Sequence, residues 1–411
     1  MMMAKRGIPA AESRLRFPEF VGQRLRQVLF GDVTAESTER NGNNLSTMPV
    51  MGVSKAEGIV PMEERLIASD IVRYKIVEKD WFAYNPMRLN IGSIAQWKGA
   101  ASILVSPDYV VFKCLDGEDS GVDSSYLDHF RQSDAWKRFV TEGGDGSVRV
   151  RIYYKDLARL QLTIPRRNEQ EKIADCLTSL DEVIAAQGRK VEALKAHKRG
   201  LMQQLFPREG ETRPRLRFPE FRNAPEWKVK KLSALIGLVS GAHLSPGQYG
   251  SAGDVPYFTG PSDFTNDMQC VKKWTASSTN TAQEHDTLIT VKGSGVGECW
   301  YLEMPSVAIG RQLMAVRGKA SSSQFINQFL LTKRTRFEDL ASGNLIPGLA
   351  RGDILDLVAP FPKKDEQQRI ADCLSSLDAQ ITAESHQLAA LKTHKQGLMQ
   401  QLFPAPETTS A

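Results

Sequence analysis

The chain has 411 residues, 25% of them charged and 41% hydrophobic, which excludes wholesale disorder and leaves room for two to four domains. Lys and Arg outnumber Asp and Glu by 53 to 48, and a net charge of +5 permits nucleic-acid binding without demanding it. No run of about 18 apolar residues is present to span a membrane, and the basic N-terminus lacks the apolar stretch of a secretory signal. The five cysteines show no C-x-x-C spacing, which fits a reducing cytoplasm and leaves no zinc ribbon or disulfide scaffold.

After a tail over 1–13, the box R-L-R-F-P-E-F occupies 14–20 and opens a first globular domain that extends to 163. Apolar β-branched runs near Ile103 and over 109–112 predict strands there. Loops rich in aromatic and polar residues lie at 81–90 (W-F-A-Y-N-P-M-R-L-N) and from Gln96 (Q-W-K-G), and basic residues alternate along V-R-V-R-I-Y-Y-K at 148–155. Residues 164–207 read as a long helix, and 208–221 as a linker that carries the box again at 215–221. A second domain follows over 222–360, with strands predicted at 287–291 and within 306–316. The glycine-rich V-K-G-S-G-V-G-E at 291–298 predicts a hairpin turn. A second long helix covers 361–405 before a tail over 406–411.

An internal repeat dominates the chain. Residues 165–207 and 362–404 are identical at 26 of 43 positions at a constant offset of 197, whereas the two variable regions show little similarity. In the first copy Ile173, Leu177, Leu180, Ile184, Val191, Leu194, Leu201 and Leu205 fall in alternating steps of four and three. Ile370, Leu374, Leu377, Ile381, Leu388, Leu391, Leu398 and Leu402 repeat the pattern. The seam is continuous if Gln187 and Lys198, and Glu384 and Lys395, fill its two gaps, which makes it a coiled-coil heptad held for over four repeats. Asn168 and Asp365 are expected as N-caps, with Glu171 and Gln368 completing capping boxes. Each helix would be a rod of roughly 55–60 Å. The predicted fold class is α+β: two mixed α/β domains separated by two long antiparallel coiled-coil helices in a pseudo-twofold repeat.

Catalytic readings fail on their residues. Asn85-Pro86 is similar to the start of an amino-methyltransferase N-P-P-Y, but Met87 and Arg88 replace the second proline and the stacking aromatic. No strand leads into G-x-G-x-x-G, the 291–298 loop lacks the Gly-Lys-Ser/Thr end of a phosphate loop, and the histidines have no metal-ligand spacing. No metal site and no cofactor are expected in this chain. Asn and Arg read adenine and guanine edges, while Lys and Arg hold phosphates. The candidate DNA-contacting residues are therefore Tyr84, Asn85, Arg88, Asn90, Lys98, Arg149, Arg151 and Lys155 in the first domain. In the second they are His243, Lys292, Ser294, Arg311 and Arg351.

The box R-L-R-F-P-E-F, the helix opening P-x-x-x-E-Q-x-x-I-A-x-x-L-x-x-x-D, the ending L-x-x-H-K-x-G-L-M-Q-Q-L-F-P and N-L-I-P-G-L at 344–349 together resemble a type I restriction–modification specificity subunit. The resemblance covers essentially the whole chain, and Y-N-P-M-R-L-N-I-G-S-I at 84–94 is similar to one class of that family's target-recognition domains. It departs in one place, since V-G-Q-R-L-R-Q-V-L-F-G follows the first box where P-E-W-K-V-K-K-L follows soon after the second. The resemblance implies a non-catalytic, cytoplasmic protein that binds double-stranded DNA. Each domain would read one half of a bipartite asymmetric site, and the helix seam would set the gap and dock two methyltransferase subunits. Two ATP-dependent translocase–nuclease subunits would complete the complex, and S-adenosylmethionine, ATP and Mg would be bound by those partners. The alternatives are a fused methyltransferase–specificity enzyme and a coiled-coil scaffold without DNA contact.

Overall fold

A computed structural model describes residues 15–42, 48–68, 70–117, 121–142, 151–276, 280–342 and 348–403. The chain divides into two compact units, the first comprising 1–187 with 387–411 and the second 188–386. Each long helix is thus shared between the units, whereas the sequence reading set each helix apart as its own segment.

In the first unit the strands are β1 (Arg26–Leu29), β2 (Thr34–Ser37), β3 (Val50–Ser54), β4 (Gly58–Pro61), β5 (Lys75–Val77), β6 (Phe82–Tyr84), β7 (Ile94–Gln96), β8 (Ile103–Val105), β9 (Val110–Cys114) and β10 (Gln161–Ile164). Its helices are α1 (Phe30–Val33), α2 (Ser124–Phe130), α3 (Asp134–Glu142) and α4 (Tyr154–Leu157), and α5 (Arg167–Leu205) begins in it. Strands β2-β9-β6-β7 form an antiparallel sheet, β4-β3-β8-β5 a mixed sheet with β3 parallel to β8, and β1-β10 a two-stranded ribbon. The antiparallel sheet is apolar on both faces. Phe82, Tyr84, Val110 and Phe112 point toward the helices, whereas Ala83 and Val111 point toward the mixed sheet. Phe82 and Phe112 stack at 5.0 Å, and Phe30 meets Phe112 edge-on at 5.3 Å.

The second unit repeats this layering with unrelated residues. Its strands are β11 (Lys228–Lys231), β12 (Ile236–Ser240), β13 (Tyr249–Gly250), β14 (Val255–Phe258), β15 (Trp274–Thr275), β16 (Thr281–Gln283), β17 (Thr287–Thr290), β18 (Cys299–Tyr301), β19 (Ser306–Ile309), β20 (Leu313–Gly318) and β21 (Val358–Phe361). Its helices are α6 (Ser323–Leu331), α7 (Arg334–Ser342) and α8 (Arg351–Leu355), and α9 (Lys364–Leu402) starts in it. The antiparallel sheet is β12-β20-β17-β18, the mixed sheet β13-β15-β14-β19-β16 has β14 parallel to β19, and the ribbon is β11-β21. Ile289, Met314 and Val316 face the helices, and Leu288, Leu313 and Ala315 face the mixed sheet. The predicted strand within 306–316 is two strands broken by a turn at Gly310, and the basic segment runs into α4.

Helices α5 and α9 are 39 residues each. Exposure along both follows the predicted seam: Ile173, Leu177, Val191, Ile370, Leu374 and Leu402 are buried, and Leu180, Ile184, Leu194, Leu201, Leu377, Ile381, Leu391 and Leu398 are half-buried. Gln187, Lys198 and Lys395 are buried where the gaps were expected. In the first unit Lys395 donates to Asp181 at 2.6 Å, and in the second Lys198 donates to Asp378 at 2.5 Å while Lys190 meets Glu384 at 2.6 Å. In the second unit rising numbers on one helix meet falling numbers on the other, so the packing there is antiparallel. Phe206 packs on Phe325 at 5.4 Å and Phe403 on Tyr126 at 5.3 Å, which plugs each helix end into a domain core. The capping boxes do not form: Glu171 pairs with Arg167 and Gln368 with Asp372, because the helices begin two residues earlier than expected. Cys176 and Cys373 are half-buried.

Candidate nucleic-acid interface

Helix and domain are locked by a two-residue signature. In the second unit Glu366 accepts Arg217 of the box, while Gln367 donates to the Pro362 carbonyl at 3.0 Å and accepts the Ser322 N–H at 3.2 Å. In the first unit Glu169 accepts Arg16, and Gln170 donates to the Pro165 carbonyl at 2.9 Å and accepts the Asp123 N–H at 2.8 Å. Ser322 and Asp123 are the N-caps of α6 and α2. The E-Q pair therefore ties the N-terminus of α2 to α5 and that of α6 to α9, and the box acts as a strap over the joint.

The first unit presents a rim around the loop 85–93, between β6 and β7. Buried Leu89 pins this loop from within, and the Arg88 carbonyl accepts the Ser93 N–H at 3.0 Å. Arg88 and Asn90 are exposed on it. The half-buried Asn85 uses its Oδ1 to accept the Met87 N–H at 2.9 Å, so that oxygen shapes the turn. Ile152 donates to the Pro86 carbonyl at 3.0 Å, which brings exposed Arg151 beside the loop, with exposed Lys155 a turn further on. Lys98 lies apart, its ammonium held 3.1 Å from the buried carboxylate of Asp128. Tyr84 is a correction. It is fully buried against Phe112, burial pushes its phenol well above its ordinary pKa, and it belongs to the core. The motif around it reads as a polar aromatic loop, but its first part is the doubly covered strand β6. Arg149 falls outside the described residues.

The second unit brings its candidates to one rim through successive backbone contacts. Ala242 donates to Ile309, Gly310 to Phe258, Val291 to Gln312, and Leu349 to Val291, at 2.8–2.9 Å. His243, Lys292, Ser294 and Arg311 are exposed on these loops. Gly241 is required for the joint, since a Cβ there would sit 2.0 Å from the Gly310 carbonyl oxygen. The 291–298 segment is the β17–β18 hairpin loop, as expected, turning through Gly293 and Gly297 at φ +91° and +85°. Arg351 spends donors on Ser240 Oγ at 2.8 Å and the Leu238 carbonyl at 3.2 Å, so it ties α8 to β12.

Three exposed rim residues escaped the sequence reading: Met87, Ile91 and Gln312. Gln312 carried the signal of an adenine-reading side chain beside Arg311, and Met87 and Ile91 are apolar groups suited to a thymine methyl. Among the described residues no group of three His, Cys, Asp or Glu side chains is placed to hold a metal ion, and no helix is long and apolar enough to cross a membrane.

Residues 225–393 match the family described as type I restriction modification DNA specificity domain. The chain is 23% identical over 351 residues to a putative type I restriction enzyme MjaX specificity subunit of Methanocaldococcus jannaschii, covering 83% of this chain and 81% of that protein. It is 21% identical over 312 residues to the MjaVIII specificity subunit of the same organism, covering 70% and 71%. Its fold resembles the type I restriction–modification S subunit from M. genitalium, with a TM-score of 0.65, 13% identity, and coverage of 96% of this chain and 100% of that one. A chain from a structure of complex assembly and conformational transition in the type I R-M system gives a TM-score of 0.56 at 19% identity, covering 93% and 98%. The domain match lies in the second repeat, the relatives span both, and the repeated box, E-Q pair and L-F-P plug recur in each: residues 225–393 carry a type I restriction modification DNA specificity domain, and most of the chain is similar to type I restriction enzyme specificity subunits.

Proposed function

We propose that this protein supplies the address for a type I restriction–modification complex. The rim of the first unit reads one half of an asymmetric DNA site and the rim of the second unit reads the other. One observation carries this: two domains of the same layering present different rim residues, each strapped to a near-identical helix. Such a design varies what is read while keeping how it is held. The helix pair sets the gap between half-sites and, with its flanks, docks two methyltransferase subunits. Two translocase–nuclease subunits complete the assembly, which works in the cytoplasm. S-adenosylmethionine, ATP and Mg belong to those partners. Chemistry of strand cleavage or methyl transfer is assigned to none of the residues described above.

Methylation mapping of DNA modified by this chain with its methyltransferase partner tests the reading. A two-part asymmetric site with a constant gap is expected. Modification at a short continuous site, or without sequence preference, would overturn it.

A further inference from the structure

In the first unit a cleft of about 590 Å³ opens where the 85–93 loop meets α9, a volume in the range of ligand sites. Lys55, Arg131, Lys137, Lys392 and Lys395 line it, and among the described residues no carboxylate does. Three of these cations are paired with carboxylates: Arg131 with Asp128 at 2.7 Å, Lys137 with Asp134 at 3.3 Å and Lys395 with Asp181 at 2.6 Å. Lys55 and Lys392 are exposed and have no ion-pair partner among the described residues.

The repeat makes Lys392 informative. Its equivalent in the first copy, Lys195, is paired with Glu192 at 2.9 Å, but the residue equivalent to Glu192 in the second copy is Ala389. The second helix keeps the lysine and lacks the carboxylate that would cancel it. The floor is apolar, with Leu89 and Trp136, and exposed Asn90 stands on the lip as part of the loop that carries Arg88. An anion seated here would adjoin a group able to reach a base edge.

We propose that this cleft seats the phosphodiester backbone of duplex DNA beside the bases met by the 85–93 loop, with Lys55 and Lys392 each neutralising one phosphate. This rests on the DNA-recognition reading above. An acidic protein segment would meet the same charges, but the continuity of the cleft with Asn90 favours DNA.

The test uses the full chain with its methyltransferase partner, one duplex carrying the mapped site and one with both halves scrambled, over a range of salt. For Lys55→Ala with Lys392→Ala, the slope of log K against log salt should become shallower by about 1.8, or about 0.9 per lost phosphate contact. Affinity for both duplexes should fall by the same factor, with thermal melting unchanged, and Lys392→Arg should keep the parental slope. An unchanged slope in the double variant, with parental discrimination between duplexes, overturns the cleft alone. Loss of methyltransferase association without a change in slope also overturns it, in favour of an acidic protein surface. If the parental complex itself fails to prefer the mapped duplex, the DNA-recognition reading falls and the cleft proposal with it.

Discussion

Arg217 grips Glu366 at two points, Nε to Oε1 at 2.8 Å and Nη2 to Oε2 at 2.6 Å, with both side chains only 4% exposed. The Trp227 indole N–H donates to the same carboxylate at 3.2 Å, and the guanidinium also reaches the carbonyls of Ala224 and Pro225. Glu366 in turn holds the Arg217 guanidinium above its ordinary pKa through their hydrogen bond. The first box makes the same grip with Arg16 on Glu169. These charges are 149 and 153 residues apart in sequence, so the strap closes only when helix and domain have met.

Breaking that grip from one side should be costly. Arg217→Ala leaves a buried carboxylate with one indole donor, and a loss of about 3–5 kcal/mol of unfolding free energy is expected. Replacing both partners, Arg217→Met with Glu366→Leu, should recover much of it because no charge is then stranded. Denaturant unfolding of the three proteins measures this, and a loss under about 1 kcal/mol in Arg217→Ala would refute the assignment.

His129 should make the first unit acid-sensitive. Burial chiefly, and Lys395 next, push its pKa down to about 4, against the opposing pull of Asp128 and Asp181, and Lys98 also lowers it. Its Nε2 lies 3.0 Å from Thr178 Oγ1. Because the folded pKa lies below the unfolded value near 6.5, the unfolded chain binds the extra proton, and stability falls as pH drops from about 7 to about 4. The loss is on the order of 3 kcal/mol. Gln328, six residues beyond its N-cap as His129 is beyond Asp123, meets Asp378 at 2.8 Å in the second unit, so His129→Gln should keep the packing and flatten the pH dependence. Unfolding midpoints across pH decide it, and equal acid sensitivity in the variant would exclude the histidine.

The seam lysines should govern how the helices register. Lys198 and Lys395 have only 11% of their side chains exposed, and each depends on one aspartate of the opposite helix. Asp378→Ala or Asp181→Ala should cost roughly 1–2 kcal/mol, discounted because the aspartates are partly exposed. Pairing either change with a lysine-to-leucine substitution at its partner should restore stability, as thermal melting would show. If the double variant melts lower than the aspartate variant, the lysine contributes something other than this ion pair.

Base reading should be modular. Arg88→Ala is expected to cost about 1–3 kcal/mol and relax one position in one half-site, and Arg311→Ala to do the same in the other half. Methylation mapping of each variant is the measurement. Relaxation of both halves by one substitution would contradict separate reading by the two rims.

The gap should answer to helix length. One added heptad in both helices, between Val191 and Leu194 and between Leu388 and Leu391, keeps the seam in phase and adds about 10 Å, or roughly three base pairs. Mapping should show either a longer gap with unchanged half-sites or no modification. Robust modification at the original gap would mean that the helices do not set it.

Periodicity and repetition are local properties of a chain, and they carried the helices almost unaided. The four–three spacing placed the seam, and its two gaps pointed to Gln187 and Lys198 as inward polar positions, because an uninterrupted heptad has nowhere else to face them. The glycine-rich 291–298 loop was legible as a hairpin for the same local reason. Burial and long-range pairing are not local. Tyr84 read as a surface aromatic because a three-residue strand covered on both faces has no alternation to betray it. Glu169 and Gln170 read as helix-start residues, yet their partners Arg16 and Asp123 lie 153 and 47 residues away. The shared layering of two dissimilar domains, the rims their loops build and the charge of Lys392, unpaired among the described residues, depend on which backbones the fold brings together, and only the tertiary structure decided them.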